Sequence, residues 1–80
     1  MKVYYYAETD SLYIDLSEKI SVDSQEIAPG VVIDFDKEGN LVGIDIDRAS
    51  TFVNLTRLEA EALPISSIRV ASDLSSSEMP

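Results

Sequence analysis

The sequence predicts an α+β protein: a small antiparallel β-sheet of two hairpins, plus one extra strand, with a single C-terminal helix packed on its apolar face. Two observations predict the sheet. Apolar and polar residues alternate through two pairs of segments, and each pair flanks a stretch of turn residues. A third observation predicts the helix, because after residue 50 the apolar residues recur every three or four positions instead.

The first hairpin comprises residues 3–7 (VYYYA) and 12–16 (LYIDL), which are rich in β-branched and aromatic side chains. Its register is predicted by requiring apolar side chains to lie opposite one another, because a slip of one residue sends them all to the other face. The register that meets this condition pairs Val3 with Leu16, Tyr5 with Ile14 and Ala7 with Leu12.

Tyrosines occupy the other face of this hairpin. In the predicted register Tyr4 lies opposite Asp15, and Tyr6 lies opposite Tyr13. Such cross-strand pairs stabilise a sheet by a few tenths to ~1 kcal/mol each, and tyrosine is also enriched in protein interfaces. We therefore interpret Tyr4, Tyr6 and Tyr13 as candidates for a homo-oligomer contact, in preference to a ligand site.

Residues 17–24 are mostly polar and are predicted to form a connection with at most a short strand. The extra strand is predicted over residues 25–28 and ends at Pro29-Gly30. Proline presets the first central position of a turn there, and glycine accepts positive φ at the second. The chain is then predicted to run extended from residue 31 to residue 36.

The second hairpin joins residues 31–36 (VVIDFD) to residues 41–47 (LVGIDID) through a glycine-containing turn. One face becomes wholly apolar if Phe35 pairs with Val42, Ile33 with Ile44 and Val31 with Ile46. This register requires a loop of two or four residues around residues 38–39. A three-residue loop would set Asp34 against Val42, and we reject it.

The helix is predicted after Ser50, in STFVNLTRLEAEALP, where one side carries Phe52, Leu55, Leu58 and Ala62.

The helix start has two alternatives, because Thr56 and Glu59 have the spacing of a capping box and can move the start to Thr56. Pro64 is predicted to end it. Residues 65–71 (ISSIRVA) alternate weakly through Ile68 and Val70, and we interpret them as an edge strand that could be exchanged with a second subunit. Ile68 and Val70 are therefore further interface candidates.

A single domain is predicted over residues 1–72, with a disordered tail over residues 73–80. A domain of this size buries little more than ~60% of the surface that its unfolded chain exposes, so an isolated monomer is marginally stable. We therefore expect a homo-oligomer, with a dimer as the first expectation.

The chain has 15 acidic and 6 basic residues, a formal net charge of −9, and 45% apolar residues. The apolar fraction favours a folded domain over a disordered chain. Nucleic acid and anionic membranes are not expected as partners, because binding to phosphates depends on lysine and arginine. The favoured interpretation of this charge is a well-solvated surface, and the alternative is rapid association with a basic protein.

Histidine and cysteine are both absent from the sequence. The commonest general base and the strongest nucleophile are therefore missing, and we expect neither enzymatic activity nor a cofactor. The N-terminus has no apolar run of signal-peptide length, and no segment approaches the ~20 apolar residues of a membrane helix. These features predict a cytoplasmic protein.

The stretch DFDKEGNLVGID, residues 34–45, has nearly the acidic spacing of a calcium-binding loop. Both flanks are predicted strands, however, so its carboxylates should line one outer face about 7 Å apart along a strand instead of surrounding an ion. The favoured interpretation is that these acidic residues keep one face of the sheet exposed to solvent and limit edge-to-edge association. The weak candidates for a divalent metal are Asp34, Asp36, Asp45 and Asp47.

Three segments of the chain, in this order and spacing, resemble the small prokaryotic proteins grouped as Domain of Unknown Function 2283. They are DSLYI at residues 10–14, PGVVIDFD at residues 29–36, and GNLVGIDI at residues 39–46 followed by Ala49-Ser50. Family members usually have glutamate where this chain has Asp45. The resemblance covers residues 1 to about 50. It implies a small, β-rich, oligomeric domain with no catalytic residues to carry over.

Two functional hypotheses follow. The first is a self-associating, non-enzymatic interaction module whose acidic surface binds a basic protein such as a toxin or a nuclease. The resemblance implies an antitoxin-like form of it, since some related genes lie beside small toxin-like genes. The alternative is a domain that binds a divalent metal or a small ligand through the acidic outer face of its sheet.

Overall fold

The computed structural model describes residues 1–67 and 69–70 of the chain. They contain five β-strands, named β1 to β5 in chain order, and a short 3₁₀ turn at Ala49–Thr51. The strands are β1 Lys2–Tyr6, β2 Ser11–Asp15, β3 Asp23–Ala28, β4 Val31–Phe35 and β5 Leu41–Ile46. The predicted tail at residues 73–80 lies outside the described residues.

All five strands form one antiparallel sheet in the order β1-β2-β5-β4-β3. The hairpins are β1–β2 and β4–β5, and β3 is the extra strand, so this part of the prediction agrees with the structure. Strands β2 and β5 join the two hairpins through pairs such as Ile14 with Ile44. The two edges of the sheet are β1 and β3.

The predicted α+β class is wrong, because the described residues contain no α-helix and the protein is an antiparallel β protein. The segment predicted as a helix, with Phe52, Leu55, Leu58 and Ala62 on one side, consists of turns and irregular chain after the 3₁₀ turn. Within the described residues, no helix has the length and apolar character needed to cross a membrane.

Local hydrogen bonds explain why this segment is not helical. The amide and hydroxyl of Thr56 both donate to Oδ1 of Asn54, at 3.0 and 2.6 Å, and such side-chain bonds compete with helix formation. Glu59 pairs with the guanidinium of Arg57 instead of capping Thr56. Ala62 has a left-handed φ of 56°, which a right-handed helix excludes. An isolated helix of this length is marginal in water, so these local bonds are enough to prevent it.

The predicted edge strand over residues 65–71 is also wrong for its described part. Residues 65–67 and 69–70 are not in a strand, and the amide of Ile65 donates to the carbonyl of Leu63 at 2.8 Å in a local turn. Ile68 and residue 71 lie outside the described residues.

The first hairpin is shifted by two residues from its predicted register. The observed pairs include Val3 with Ile14, Tyr4 with Tyr13 and Tyr5 with Leu12. A shift of two keeps every side chain on its predicted face, because alternate residues of a strand point to the same side. Ala7 therefore belongs to a four-residue loop, residues 7–10, in which the amide of Thr9 donates to the carbonyl of Tyr6 at 3.2 Å.

The second hairpin keeps most of its predicted register. Two predicted pairs are confirmed: Val31 with Ile46 and Ile33 with Ile44. The third is wrong, because the register shifts after Asp34 and Phe35 pairs with Leu41 instead of Val42. The loop consequently has five residues, 36–40, and not two or four.

The side chain of Asp36 explains the longer loop. Its Oδ1 accepts hydrogen bonds from the amides of Glu38 and Asn40, at 2.9 and 2.8 Å. Its own amide donates to the carbonyl of Asn40 at 2.9 Å, and Gly39 takes a φ of 85° that favours glycine. The carboxylate thus supplies acceptors for amides that the loop would otherwise leave unpaired.

The extra strand β3 begins two residues earlier than predicted, at Asp23. Its register against β4 shifts between Glu26 and Ala28, which marks a bulge. The predicted turn at Pro29-Gly30 is consistent with the φ of 82° at Gly30. The Gly30 amide donates to the Glu26 carboxylate at 3.1 Å, which fastens the turn to the strand.

The sheet is a single layer whose two faces differ in chemistry. One side, the apolar face, carries ten apolar or aromatic side chains, those of Val3, Tyr5, Leu12, Ile14, Val31, Ile33, Phe35, Val42, Ile44 and Ile46. Asp23 and Gln25 of the edge strand β3 lie on the same side, opposite Phe35 and Ile33. Among the described residues only three apolar side chains are buried, those of Leu12, Val42 and Ala49, and no large side chain is fully buried. One chain therefore leaves most of this face partly accessible to water.

Candidate functional site

The opposite side of the sheet, the acidic face, carries the groups most suited to recognising a partner. Alternation along the strands places there Tyr4, Tyr6, Tyr13, Asp15, Glu26, Asp34 and Asp45. Lys2 on the edge strand β1 lies on the same side, opposite Asp15. The face is therefore a mixture of carboxylates and tyrosines with a net negative charge.

Tyr13 crosses this face from one strand to another. It lies on β2, and its hydroxyl donates to Oδ2 of Asp34 on β4 at 3.3 Å, over the backbone of β5. The ring passes over Gly43, where any Cβ would collide with the Tyr13 hydroxyl. Gly43 is thus required by the path of the tyrosine, an arrangement in which an aromatic side chain covers a glycine in a strand.

Asp34 is held from two sides. Its Oδ2 accepts from Tyr13, and its Oδ1 accepts from the hydroxyl of Ser24 on β3 at 2.7 Å. The carboxylate therefore links β2, β3 and β4, although β5 separates β2 from β4 in the sheet. This network fixes the negative charge of Asp34 near the middle of the acidic face.

The charges on this face repel one another. Partial burial, with the negative charge of Asp34 next in importance, raises the pKa of Tyr13. Partial burial also raises the pKa of Asp45, and the nearby charges of Asp47 and Asp34 raise it further. A positively charged group brought to this face would relieve that repulsion.

A shallow, open depression lies beside the Tyr13 ring. Its walls are Tyr6, Thr9, Ser11, Tyr13, Asp34 and Asp45. Its shape matches a single side chain laid on a surface better than an enclosed substrate, because small-molecule sites bury most of their ligand.

The four predicted metal candidates are not brought together. Asp34 and Asp45 share the acidic face, but Asp36 is nearly buried in the 36–40 loop, where backbone hydrogen bonds from Asn40 lower its pKa. Asp47 follows β5, and its amide donates to the carbonyl of Gly30 at 2.8 Å. The described residues contain no group of three or more acidic side chains placed to hold a metal ion.

The three tyrosine candidates divide into two kinds. Tyr4 and Tyr6 are exposed on β1 and stack on each other, with ring centroids 6.5 Å apart. Tyr13 instead makes the internal contact with Asp34. Val70 is 85% exposed, and Ile68 lies outside the described residues. A role for any of these residues in an interface stays a prediction.

Sequence reasoning missed one polar cluster, the latch formed by Asp10, Tyr5 and Ser50. The Asp10 carboxylate accepts from the Tyr5 hydroxyl at 2.7 Å and from the Ser50 hydroxyl and amide at 2.7 and 3.1 Å. Its carbonyl also accepts from the amide of the buried Ala49 at 2.7 Å. The latch thus ties the first hairpin loop to the 3₁₀ turn that follows β5.

The hydrogen bonds of the latch lower the pKa of Asp10, with that from the Ser50 hydroxyl first and that from Tyr5 second. Asp10 also has a left-handed φ of 54°, a conformation that aspartate and asparagine tolerate better than most residues. Asp10 and Ser50 are 40 positions apart in the sequence, and the fold brings them together.

A family model described as a protein of unknown function, DUF2283, matches residues 2–50. The chain belongs to the DUF2283 family. The resemblance seen in the sequence is therefore confirmed. No curated protein and no solved structure matches the chain.

The part of the chain that matches DUF2283 contains the whole sheet and all three members of the latch. It ends within the 3₁₀ turn at Ala49–Thr51. The family-matched unit is thus the five-stranded sheet closed by the latch, while the irregular segment from residue 52 onward lies beyond it.

Proposed function

We propose that this protein is a non-enzymatic interaction module that self-associates through the apolar face of its sheet and presents the acidic face to a basic protein. The observation that carries the proposal is the separation of apolar and acidic side chains onto opposite faces of one single-layer sheet. A cytoplasmic location, expected from the sequence, is part of the proposal.

The single layer is the first support for self-association. Stable domains pack two or more layers of secondary structure around one core, and an antiparallel sheet commonly has one face against a core and one in water. In the described residues the second layer is missing, since the apolar face has no helix or second sheet against it. Another copy of the chain would supply that layer.

The distribution of charge supports a second copy as the occupant. The only charged side chain on the apolar side of the strands is that of Asp23, opposite Phe35 on the edge strand β3, so two copies could meet over the middle of this face without bringing carboxylates together. Their acidic faces would then point outward in opposite directions. Contact through the acidic faces would instead oppose two surfaces of the same sign, which is unfavourable.

The acidic face supports the basic partner. Asp34 and Asp45 border the depression beside Tyr13, and Tyr4 and Tyr6 expose aromatic rings on the same side. Carboxylates pair with arginine and lysine, and tyrosine rings add cation–π attraction. An antitoxin-like role with a basic toxin or nuclease is the finer form of this proposal.

The absence of histidine and cysteine from the sequence supports a non-enzymatic function. The metal-binding alternative is not taken further, because Asp36 is held in the 36–40 loop by backbone amides and the described residues contain no group of three acidic side chains placed to hold a metal ion.

Co-expression with the short basic reading frame expected beside the gene tests the proposed partner. A complex should co-purify at low salt and dissociate as salt rises, because screening weakens attraction between exposed charges. The Asp34→Asn/Asp45→Asn variant should lose the complex. Val32→Ala on the same face is a control that should retain it. Recovery of the protein alone at low salt, with the basic product present, would reject the proposed partner.

A further inference from the structure

We infer that the exposed edge of β1 is a second self-association site, at which β1 of one chain pairs antiparallel with β1 of another copy. The inference extends the self-association proposed above, but it uses the edge of the sheet instead of its apolar face. The edge contact uses backbone groups of β1 and the face contact uses apolar side chains, so either can exist without the other.

The two edges of the sheet differ in how they are protected. Strand β3 has a bulge between Glu26 and Ala28, two acidic residues, and a proline directly after its last residue. These are the features by which natural sheets prevent unwanted pairing at an edge. Strand β1 has no bulge, no acidic residue and no proline, and its one charged residue, Lys2, stands at its first position. Its register with β2 is regular from Lys2 to Tyr6, and every residue in it is exposed.

The hydrogen bonds of the neighbouring strands identify the free backbone groups on β1. The Leu16 amide donates to the carbonyl of Val42, toward β5. Because the backbone groups of successive residues point alternately to the two sides of a strand, Tyr13 and Asp15 point toward β1. Their partners Tyr4 and Lys2 then point toward β2. The amides and carbonyls of Val3 and Tyr5 therefore point outward, away from the sheet.

One register satisfies these free groups symmetrically. A two-fold axis at Tyr4 pairs Val3 of each copy with Tyr5 of the other, and each such pair exchanges two backbone hydrogen bonds. Because this register opposes odd residues to odd residues, the apolar faces of both copies lie on the same side. The result is one continuous sheet across two chains.

The charge of β1 favours a second copy as the occupant. Residues 1–7 contain one lysine and no acidic residue, in a chain with a net charge of −9. Two copies that approach through β1 thus keep their carboxylates farther apart than through β3. The same register sets Lys2 of each copy opposite Tyr6 of the other, close enough for the ammonium group to contact the ring.

The absence of cysteine from the chain allows a direct crosslinking test. In the proposed register Tyr4 lies opposite Tyr4 of the second copy, with the Cα atoms ~4.5 Å apart, which is within disulfide geometry. Tyr4→Cys in the full-length protein should therefore form a covalent dimer under mild oxidation. It should do so about tenfold faster or more than Lys2→Cys, because a held pair has a far higher effective concentration than colliding chains.

Lys2→Cys is the matched control, since it lies on the same strand and face but at a position displaced from its own copy. In a mixture of the two variants, Lys2→Cys and Tyr6→Cys should crosslink to each other faster than either variant crosslinks to itself. Equal, slow crosslinking of Tyr4→Cys and Lys2→Cys would overturn the inference. Val3→Pro provides a second readout: it removes an outward amide and should reduce the molar mass of the assembly without unfolding the sheet.

The outcomes separate this inference from the proposed function. If Tyr4→Cys fails to crosslink while a charge on the apolar face dissociates the protein, the β1 contact is wrong and the apolar-face contact stands. If Tyr4→Cys crosslinks and the variant with a charge on the apolar face keeps the molar mass of the assembly, the β1 contact stands and the apolar-face contact is wrong. If Val3→Pro instead reduces only the capture of a basic protein, the edge takes a strand from that partner and the second-copy inference is wrong.

Discussion

The two faces of the sheet differ in how far the side chains of one chain find contacts within that chain. On the acidic face, the Asp34 carboxylate accepts hydrogen bonds from Tyr13 and Ser24 on two other strands. On the apolar face ten apolar or aromatic side chains point to one side, but only those of Leu12 and Val42 are buried. Within the part of the chain that the structure describes, the acidic face is tied together by its own side chains, whereas the apolar face has no second layer of strands or helices over it. This difference is the basis of the proposed self-association.

The largest predicted effect comes from placing a charge on the apolar face. Ile33→Lys should dissociate the protein and lower the free energy of unfolding by about 2–5 kcal/mol, because the substitution removes an apolar contact and buries a charge in the assembly. Sedimentation equilibrium and chemical denaturation measure the two effects.

Val32→Lys is the matched control for this prediction, because Val32 is the preceding residue on β4 and lies on the acidic face opposite Asp45. It should keep the oligomer and change stability little. Equal dissociation by Ile33→Lys and Val32→Lys would contradict the proposal that the chain self-associates through the apolar face and not through the acidic face.

The next effect tests how tightly the acidic face is packed. Gly43→Ala should lower the free energy of unfolding by about 1–3 kcal/mol, because the added methyl group displaces Tyr13 and strains the strand. Denaturant titration measures the loss. The Tyr13→Ala/Gly43→Ala double variant should lose less than the two single variants added together. Simple additivity would mean that Tyr13 does not need a glycine beneath it.

Acid should weaken the latch at the end of the sheet. The pKa of Asp10 is lower in the folded protein than its ordinary value of 3.8, so its contribution to stability is complete above that value. The contribution is lost as pH falls through the lower folded-state pKa. Melting temperature should therefore decline in this range, and Asp10→Asn should decline less because its side chain does not titrate. Parallel acid profiles for the two proteins would contradict a charged latch.

The smallest effect concerns Asp45, whose pKa is raised in the folded protein. Its ionised form is thus disfavoured by folding, and the cost is relieved as pH falls through the raised pKa. Asp45→Asn should raise the free energy of unfolding at neutral pH by about 0.5 kcal/mol or less, as is usual for exposed positions. A clear loss of stability in denaturant titration would contradict the repulsion inferred for this face.

The sheet could be predicted because alternation survives errors in register. Tyr5 pairs with Leu12 and not with Ile14, yet it lies on the predicted face, because the error was two residues. The ends of the second hairpin could not be predicted in the same way. The five-residue loop depends on the Asp36 carboxylate binding two amides, a local bond that alternation does not indicate.

The helix and the latch show two other limits of the sequence. Periodicity through Phe52 and Leu58 predicted a helix, but hydrogen bonds from Thr56 to Asn54 compete with it. The latch joins Asp10 to Ser50, and only the strand order brings those distant residues together. On the acidic face, the sequence predicted Asp34 and Asp45 on one side but not the path of Tyr13 over Gly43.

The molar mass of the full-length protein in solution tests the central claim most directly. Sedimentation equilibrium at micromolar concentration and moderate salt should give at least twice the 8.8 kDa of one chain, and Ile33→Lys should shift the mass toward that of one chain. A wild-type protein that stays folded at 8.8 kDa across this concentration range would contradict the proposal that a second copy completes the fold.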